Sequence, residues 1–304
     1  MLVTELPAAA TRRTVTGLWF LVLAGALWGT GGLTGSLLAR ASGLSPLAVA
    51  TYRLACGGVL LVAFIVATRR GLPRGRAAWR RIGVLGLLAA TFQAGYFAAV
   101  AQVSVSLATL FTIGASPLLV LLAETAAGRR RITGPTVVTA ALAVTGLTLL
   151  VGVPSGGRTL AATLAGAGFA LLAAGGFAVL TLVGARPVTG LDDVAATGLG
   201  FTAGALVLAP LAATAGGGLG FAPGPAALGL LLLLGAGPTA IAYAAYFRGL
   251  RTTPAGTAAL LALLEPLVGT ALAALILGDR LGPAGVAGAV LLVAALARAA
   301  TGRG

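Results

Sequence analysis

Ten apolar runs, most of them about 20 residues long and joined by short connections rich in Pro, Gly and Arg, decide which solvent this chain can fold in. A helix rises ~1.5 Å per residue, so about 20 residues cross ~30 Å of hydrocarbon while satisfying their own backbone hydrogen bonds. The runs fall at 18–38, 47–67, 82–102, 107–127, 134–153, 160–184, 194–213, 226–247, 256–277 and 283–298. Continuous apolarity, rather than an amphipathic period, marks them. With 59% hydrophobic residues, 9% charged residues and a mean hydropathy of +1.06, a soluble domain of 304 residues could not hide its apolar side chains. The sequence therefore predicts an all-α membrane protein of ten transmembrane helices, with no room for a separate soluble domain.

A net charge of +14 would suggest nucleic acid in a soluble protein, but here it follows from membrane topology. With a cytoplasmic N-terminus, Arg40, Arg158 and Arg280 fall outside and Arg53 lies within a span. Every other arginine, including Arg129, Arg130 and Arg131, falls inside, which is the positive-inside pattern. The expected placement is the cytoplasmic (inner) membrane with both termini cytoplasmic and no nucleic-acid partner. Trp19 and Trp79 stand at cytoplasmic span starts, as interfacial anchors do. Arg12 and Arg13 precede a first run longer than a signal-peptide core, so it reads as the first transmembrane helix.

The residue inventory limits the chemistry. The chain has no His and one Cys, Cys56, which rules out His-based acid–base catalysis, an internal disulfide and Cys-cluster metal sites. Its carboxylates are Glu5, Glu124, Asp192, Asp193, Glu265 and Asp279, of which only Asp192-Asp193 form a pair on a loop. The Gly-rich stretch Gly29 to Gly32 lacks the strand and Lys of a phosphate-binding loop. The pairs Gly25/Gly29, Gly31/Gly35 and Gly200/Gly204 read as close helix packing. No enzyme, metal or cofactor is expected.

The ninth run holds a Glu-Pro pair, Glu265-Pro266, near its middle. A lipid-facing carboxylate costs roughly 2.5–3.5 kcal/mol or more, and a proline deletes a helical hydrogen bond. Both are tolerable where the helix faces protein or a water-filled path. Two readings stand: a structural kink with a satisfied Glu, or a kinked helix lining a solute pathway. The fourth run echoes the ninth, with Pro117 and Pro266 149 residues apart and each followed by an apolar half-helix, a basic loop and one more apolar span. The order of features predicts two five-helix units, 18–153 and 160–298, with Pro117 and Pro266 as paired hinges or kinks. Five spans per unit is odd, so the second unit enters the membrane inverted, as in many secondary transporters.

At this point the chain resembles the EamA-type branch of the drug/metabolite transporter superfamily. The resemblance rests on AGALWGTGG with Trp28-Gly29 in the first span, and on Pro46 followed by Arg53 in the second. It continues through Tyr243, Tyr246 and Phe247, Leu264-Glu265-Pro266, Leu277-Gly278-Asp279, and Gly285 to Gly288. The family usually carries Leu-Gly-Glu where Asp279 stands here. Ser116 occupies the first-repeat position of Glu265, and no carboxylate lies in the first span.

The resemblance implies a central cavity lined mainly by the third, fourth, eighth and ninth helices, with parts of the first and sixth. The polar residues at membrane depth in those helices are Trp28, Thr30, Gln93, Tyr96, Thr112, Ser116, Tyr243, Tyr246 and Glu265. They offer stacking faces, neutral hydrogen bonds and one charge to a small amphipathic solute, or they bond helix to helix. Arg53 either snorkels and pairs structurally or attracts an anionic solute group. Glu124, beside Arg129 to Arg131, reads as a topological ion pair.

The resemblance implies secondary transport of a small-molecule solute, with amino-acid export favoured and protons as a candidate coupling ion. The rivals are a multidrug exporter, a membrane enzyme of lipid precursors and a non-transporting scaffold.

Overall fold

The computed structural model describes residues 8–152, 159–214, 217–221, 223–277 and 280–301. Glu5, Arg158, Gly216, Gly278, Asp279 and Arg303 lie outside the described residues. Among the described residues, ten helical spans form the bundle: α1 (Ala8–Ser42), α2 (Pro46–Ala67), α3 (Arg76–Gln102), α4 (Val105–Ala126) and α5 (Gly134–Val151), then α6 (Leu160–Gly184), α7 (Asp193–Thr214), α8 (Pro225–Gly249), α9 (Ala255–Ile276) and α10 (Pro283–Ala300). All ten are long and apolar enough to cross a membrane. Large apolar side chains such as Trp19, Leu160, Leu206 and Leu275 cover the outer surface, as lipid requires.

Local chemistry sets the helix starts. Ser45, Ser104 and Thr159 cap α2, α4 and α6 by accepting the backbone N–H of Ala48, Leu107 and Ala162, each at 3.2 Å. Asp192 caps α7 through Val194 N at 2.9 Å. α3 begins at Arg76, six residues before the apolar run at 82, because its first turns lie in the charged interface where hydropathy does not report helix.

Helix pairing displays the inverted repeat. Exchanging α1–α5 with α6–α10 turns the contact α3–α6 into α8–α1, α4–α6 into α9–α1, and α3–α7 into α8–α2, and all six contacts are present. The remaining major contacts, α2–α7 and α5–α10, map onto themselves across the same pseudo-two-fold axis. Glycines bring these pairs together: a Cβ on Gly86 would lie 2.7 Å from the Gly200 carbonyl, and one on Gly146 would lie 2.7 Å from the Leu292 nitrogen. Gly25 and Gly29 pack against α9, and Gly200 and Gly204 against α3, at comparable closeness. The third pair differs. A Cβ on Gly35 would meet only Val49, at an ordinary 3.8 Å, because this part of α1 borders open space.

Two helices are interrupted. α8 widens into a π-turn over Ala236–Ile241, around Pro238. Pro238 cannot donate to the carbonyl of Leu234 four residues back, and the hydroxyl of Thr239 takes that place at 2.8 Å. α9 consists of Ala255–Leu261, a turn at 262–263, Leu264–Leu272 and a π-turn Ala273–Leu277. The break lies where Pro266 would collide with the Ala262 carbonyl, which accepts instead from Glu265 N at 3.0 Å. α4, by contrast, runs as one continuous helix, Val105–Ala126, through Pro117. Within α4 the hydroxyl of Ser116 adds a second bond to the Thr112 carbonyl, at 2.6 Å.

Candidate functional site

Call the face where α1 begins the near face and the opposite one the far face. A cavity of about 460 Å³ enters from the far face, with Arg40 and Pro46 on its rim. Its floor is at Trp28, twelve residues before Arg40 and so ~18 Å down α1. An adjoining space of about 670 Å³ shares Trp28, Tyr96 and Glu265 and extends along α4 and α9 to Arg280.

Each wall follows from its helix. On α1, Gly31, Gly32 and Gly35 leave the bore open, since no atom lies within 4 Å of a Cβ built at Gly32. α3 contributes Gln93 and Tyr96, one helical turn apart, with Phe92 and Phe97 beside them. Tyr96 exchanges a hydrogen bond with Thr109 on α4 at 2.9 Å. Thr112 on α4 donates to the Ala170 carbonyl of α6 at 3.3 Å, joining the two halves at the wall. The floor is an aromatic cluster: Trp28 lies 4.9 Å from Tyr243 and 5.8 Å from Phe177, both edge-on, and Phe201 backs Tyr243 at 4.6 Å. The indole nitrogen of Trp28 is buried without a protein partner.

Two charges reach this cavity. Glu265, half-buried, stands in the first turn of the Leu264–Leu272 segment, its own N–H donated to the Ala262 carbonyl at 3.0 Å. The break at 262–263 creates that helix start in mid-membrane. Arg53 comes from α2, its Nε 3.4 Å from the Thr239 hydroxyl that repairs the Pro238 bulge. The ion pairs found among the described residues are Arg70–Asp192 and Arg251–Asp193, so Arg53 and Glu265 share the cavity without closing on each other.

The structure gathers Trp28, Gln93, Tyr96, Thr112, Tyr243 and Glu265 into one wall. It places three other expected residues elsewhere. Tyr246 is 1% exposed beneath the floor, bonded to Thr181 at 2.9 Å, because the helix turns its ring inward past Tyr243. Ser116 is buried in α4 with its hydroxyl on its own helix. Thr30 is half-buried outside the lining and donates to the Leu27 carbonyl at 2.7 Å. Sequence reasoning missed α2 as a wall, although Arg53 inside an apolar run was a visible signal, and it missed Phe92, Phe97 and Phe177, which look like any core aromatic.

On the near face, polar contacts join the two halves. Arg81 donates to the Val183 carbonyl, and Arg74 N donates to the Gly190 carbonyl at 3.0 Å. Glu124, expected to pair with the arginines after α4, is not in the ion pairs found among the described residues; it packs beside Gly256 at the start of α9, where a Cβ would lie 3.1 Å from its Oε2 and 2.8 Å from Arg130.

These features define a polytopic membrane protein of two inverted five-helix repeats around a central cavity open to one face. A family model described as "EamA-like transporter family" matches residues 15–152 and again 164–300, and the chain belongs to that family. It is a membrane transporter of the drug/metabolite transporter superfamily. The chain is similar to "Uncharacterized transporter YwfM" of Bacillus subtilis (strain 168), 28% identical over 253 residues, covering 82% of this chain and 81% of that one. A solved crystal structure matches with a TM-score of 0.76 at 22% identity, over 95% of this chain and 98% of the other, which is a likeness of fold.

Proposed function

We propose that the protein moves a small amphipathic metabolite, of the amino-acid kind, out across the cytoplasmic membrane by alternating access. The observation that carries this reading is the far-face cavity, where aromatic rings, the Gln93 amide and two unpaired opposite charges meet at mid-membrane depth. Such a surface suits a solute with an apolar body and charged ends. The arginine distribution supports a cytoplasmic near face, so the described form would be open to the outside. The halves 18–153 and 160–298 would rock about α2–α7 and α5–α10, the contacts that map onto themselves. Arg53 would meet an anionic group of the solute, and Glu265 a cationic group or a transferred proton. A multidrug exporter is the second reading, favoured by the predominance of apolar and aromatic side chains in the wall.

Flux of labelled amino acids into proteoliposomes tests the proposal, with Glu265→Gln as the discriminating variant because it keeps shape and hydrogen bonding but cannot ionise. The expected result is saturable flux in the wild type, with flux and pH dependence both altered in the variant. Unchanged flux at every pH in Glu265→Gln would remove the carboxylate from the mechanism. Absence of flux for every amino acid, with efflux of organic cations, would favour the second reading.

A further inference from the structure

A second space opens on the near face, away from the solute cavity. It is a lipid-facing groove of about 520 Å³ between α1, α2, α7 and α8. Phe20 and Leu23 of α1 form one side, Leu61 and Phe64 of α2 the other, and the small Ala244 and Ala245 of α8 make a shallow floor. Leu23, Phe64 and Ile241 are exposed along it. From Ile241 to Arg248 is seven residues, so the apolar stretch runs ~10 Å below the charged rim, the depth of the upper part of an acyl chain.

The rim is charged with both signs. Arg70 lies over the Phe64 ring at 5.3 Å and 3.5 Å from Asp192 Oδ2, a separation too long for a good hydrogen bond. The other Asp192 oxygen is occupied by the Val194 and Ala195 amides, so Oδ2 faces the rim. Asp193 is engaged by Arg251, whose Nε donates to it at 3.0 Å, and the Arg248 side chain is exposed. The rim thus presents guanidinium groups from Arg70 and Arg248 beside one under-used carboxylate oxygen.

We propose that this groove binds a phospholipid whose headgroup joins a phosphate to a primary ammonium, phosphatidylethanolamine. The phosphate lies against Arg248 and Arg70, the ammonium donates to Asp192 Oδ2, and one acyl chain occupies the groove. A choline headgroup has the charge but no N–H to donate, and a glycerol headgroup has no cation for the carboxylate. Either would leave one half of the rim unmet.

The test compares lipids of identical acyl chains on the full-length protein in detergent, with bound lipid counted by native mass spectrometry. Phosphatidylethanolamine should bind about tenfold more tightly than phosphatidylcholine, the value of one charge-assisted hydrogen bond, and more tightly than phosphatidylglycerol. Asp192→Asn, which retains the α7 cap, should abolish the preference for ethanolamine over choline. Arg248→Gln should weaken both lipids together. Equal binding of the ethanolamine and choline lipids by unmodified protein overturns the proposal whatever the variants do, as does tighter binding of phosphatidylglycerol. Retention of the full ethanolamine preference in Asp192→Asn overturns it as well.

Discussion

Substituting Gly29 separates close packing from cavity lining on a single helix. A Cβ at Gly29 would lie 2.7 Å from Val268 Cγ1 and 2.9 Å from the Glu265 carbonyl oxygen, whereas a Cβ at Gly32 would meet nothing within 4 Å. Carbon atoms prefer separations of about 3.5–4.0 Å, so Gly29→Ala forces α1 and α9 apart by roughly 1 Å at the level of Glu265. Overpacking of this kind costs about 1–3 kcal/mol. Both substitutions gain the same helix propensity, about 1 kcal/mol, so their difference isolates the steric cost. The assay is thermal unfolding in detergent followed by tryptophan fluorescence, with flux measured on the same preparations. Gly29→Ala should unfold below the wild type or level with it, and Gly32→Ala at or above it. Flux should fall in Gly29→Ala because Glu265 moves. If Gly29→Ala unfolds at the same temperature as Gly32→Ala, α1 and α9 are not in the contact described.

Two further outcomes follow from the site. Tyr246→Phe removes a buried hydrogen bond to Thr181 and should cost about 1 kcal/mol of stability while leaving solute affinity unchanged, as unfolding and binding titrations on one sample would show. Cysteines placed at Gly217 and Arg74 in a Cys56→Ser background should label from outside and inside intact cells respectively, and external labelling at Arg74 would reverse the orientation inferred from the arginines.

The spans were legible because continuous apolarity is a one-dimensional signal and a bilayer fixes its length. Hydropathy and helix diverge in the arginine-bearing turns from Arg76 that precede the apolar part of α3, and apolarity alone does not mark that helix start. Pro238 was visible, but its wide turn depends on the Thr239 hydroxyl and on room at Gly57, where a Cβ would press on Thr239, and both are tertiary facts. Tyr243 and Tyr246 stand three residues apart, a spacing that makes them neighbours on a helix. That spacing could not say which ring reaches the cavity and which is swallowed by the α6 contact with Thr181. Ser116 shows the same limit: a polar residue at membrane depth is as readily absorbed by its own backbone as offered to a solute.

The two halves share one contact map but not one set of helix breaks, and this has a mechanistic consequence. With the cavity open to the far face, α9 is broken before Pro266 while its counterpart α4 is continuous through Pro117. If the opposite state arises by the halves exchanging conformations about their two-fold axis, α4 must break before Pro117 and α9 must close. The two prolines then act in opposite directions. Pro266→Ala restores an N–H that can reach the Ala262 carbonyl, stabilises a continuous α9 and so disfavours the far-open form. Pro117→Ala disfavours the break α4 needs and so holds the far-open form. One helical hydrogen bond of about 1 kcal/mol shifts a two-state ratio roughly fivefold. A cysteine at Gly32 in the Cys56→Ser background reports the far-open population by its labelling rate from the far face. That rate should fall in Pro266→Ala, hold or rise in Pro117→Ala, and flux per folded molecule should fall in both. Labelling rates that move in the same direction in the two variants would rule out exchange by repeat symmetry and make the break in α9 a fixed feature of the site.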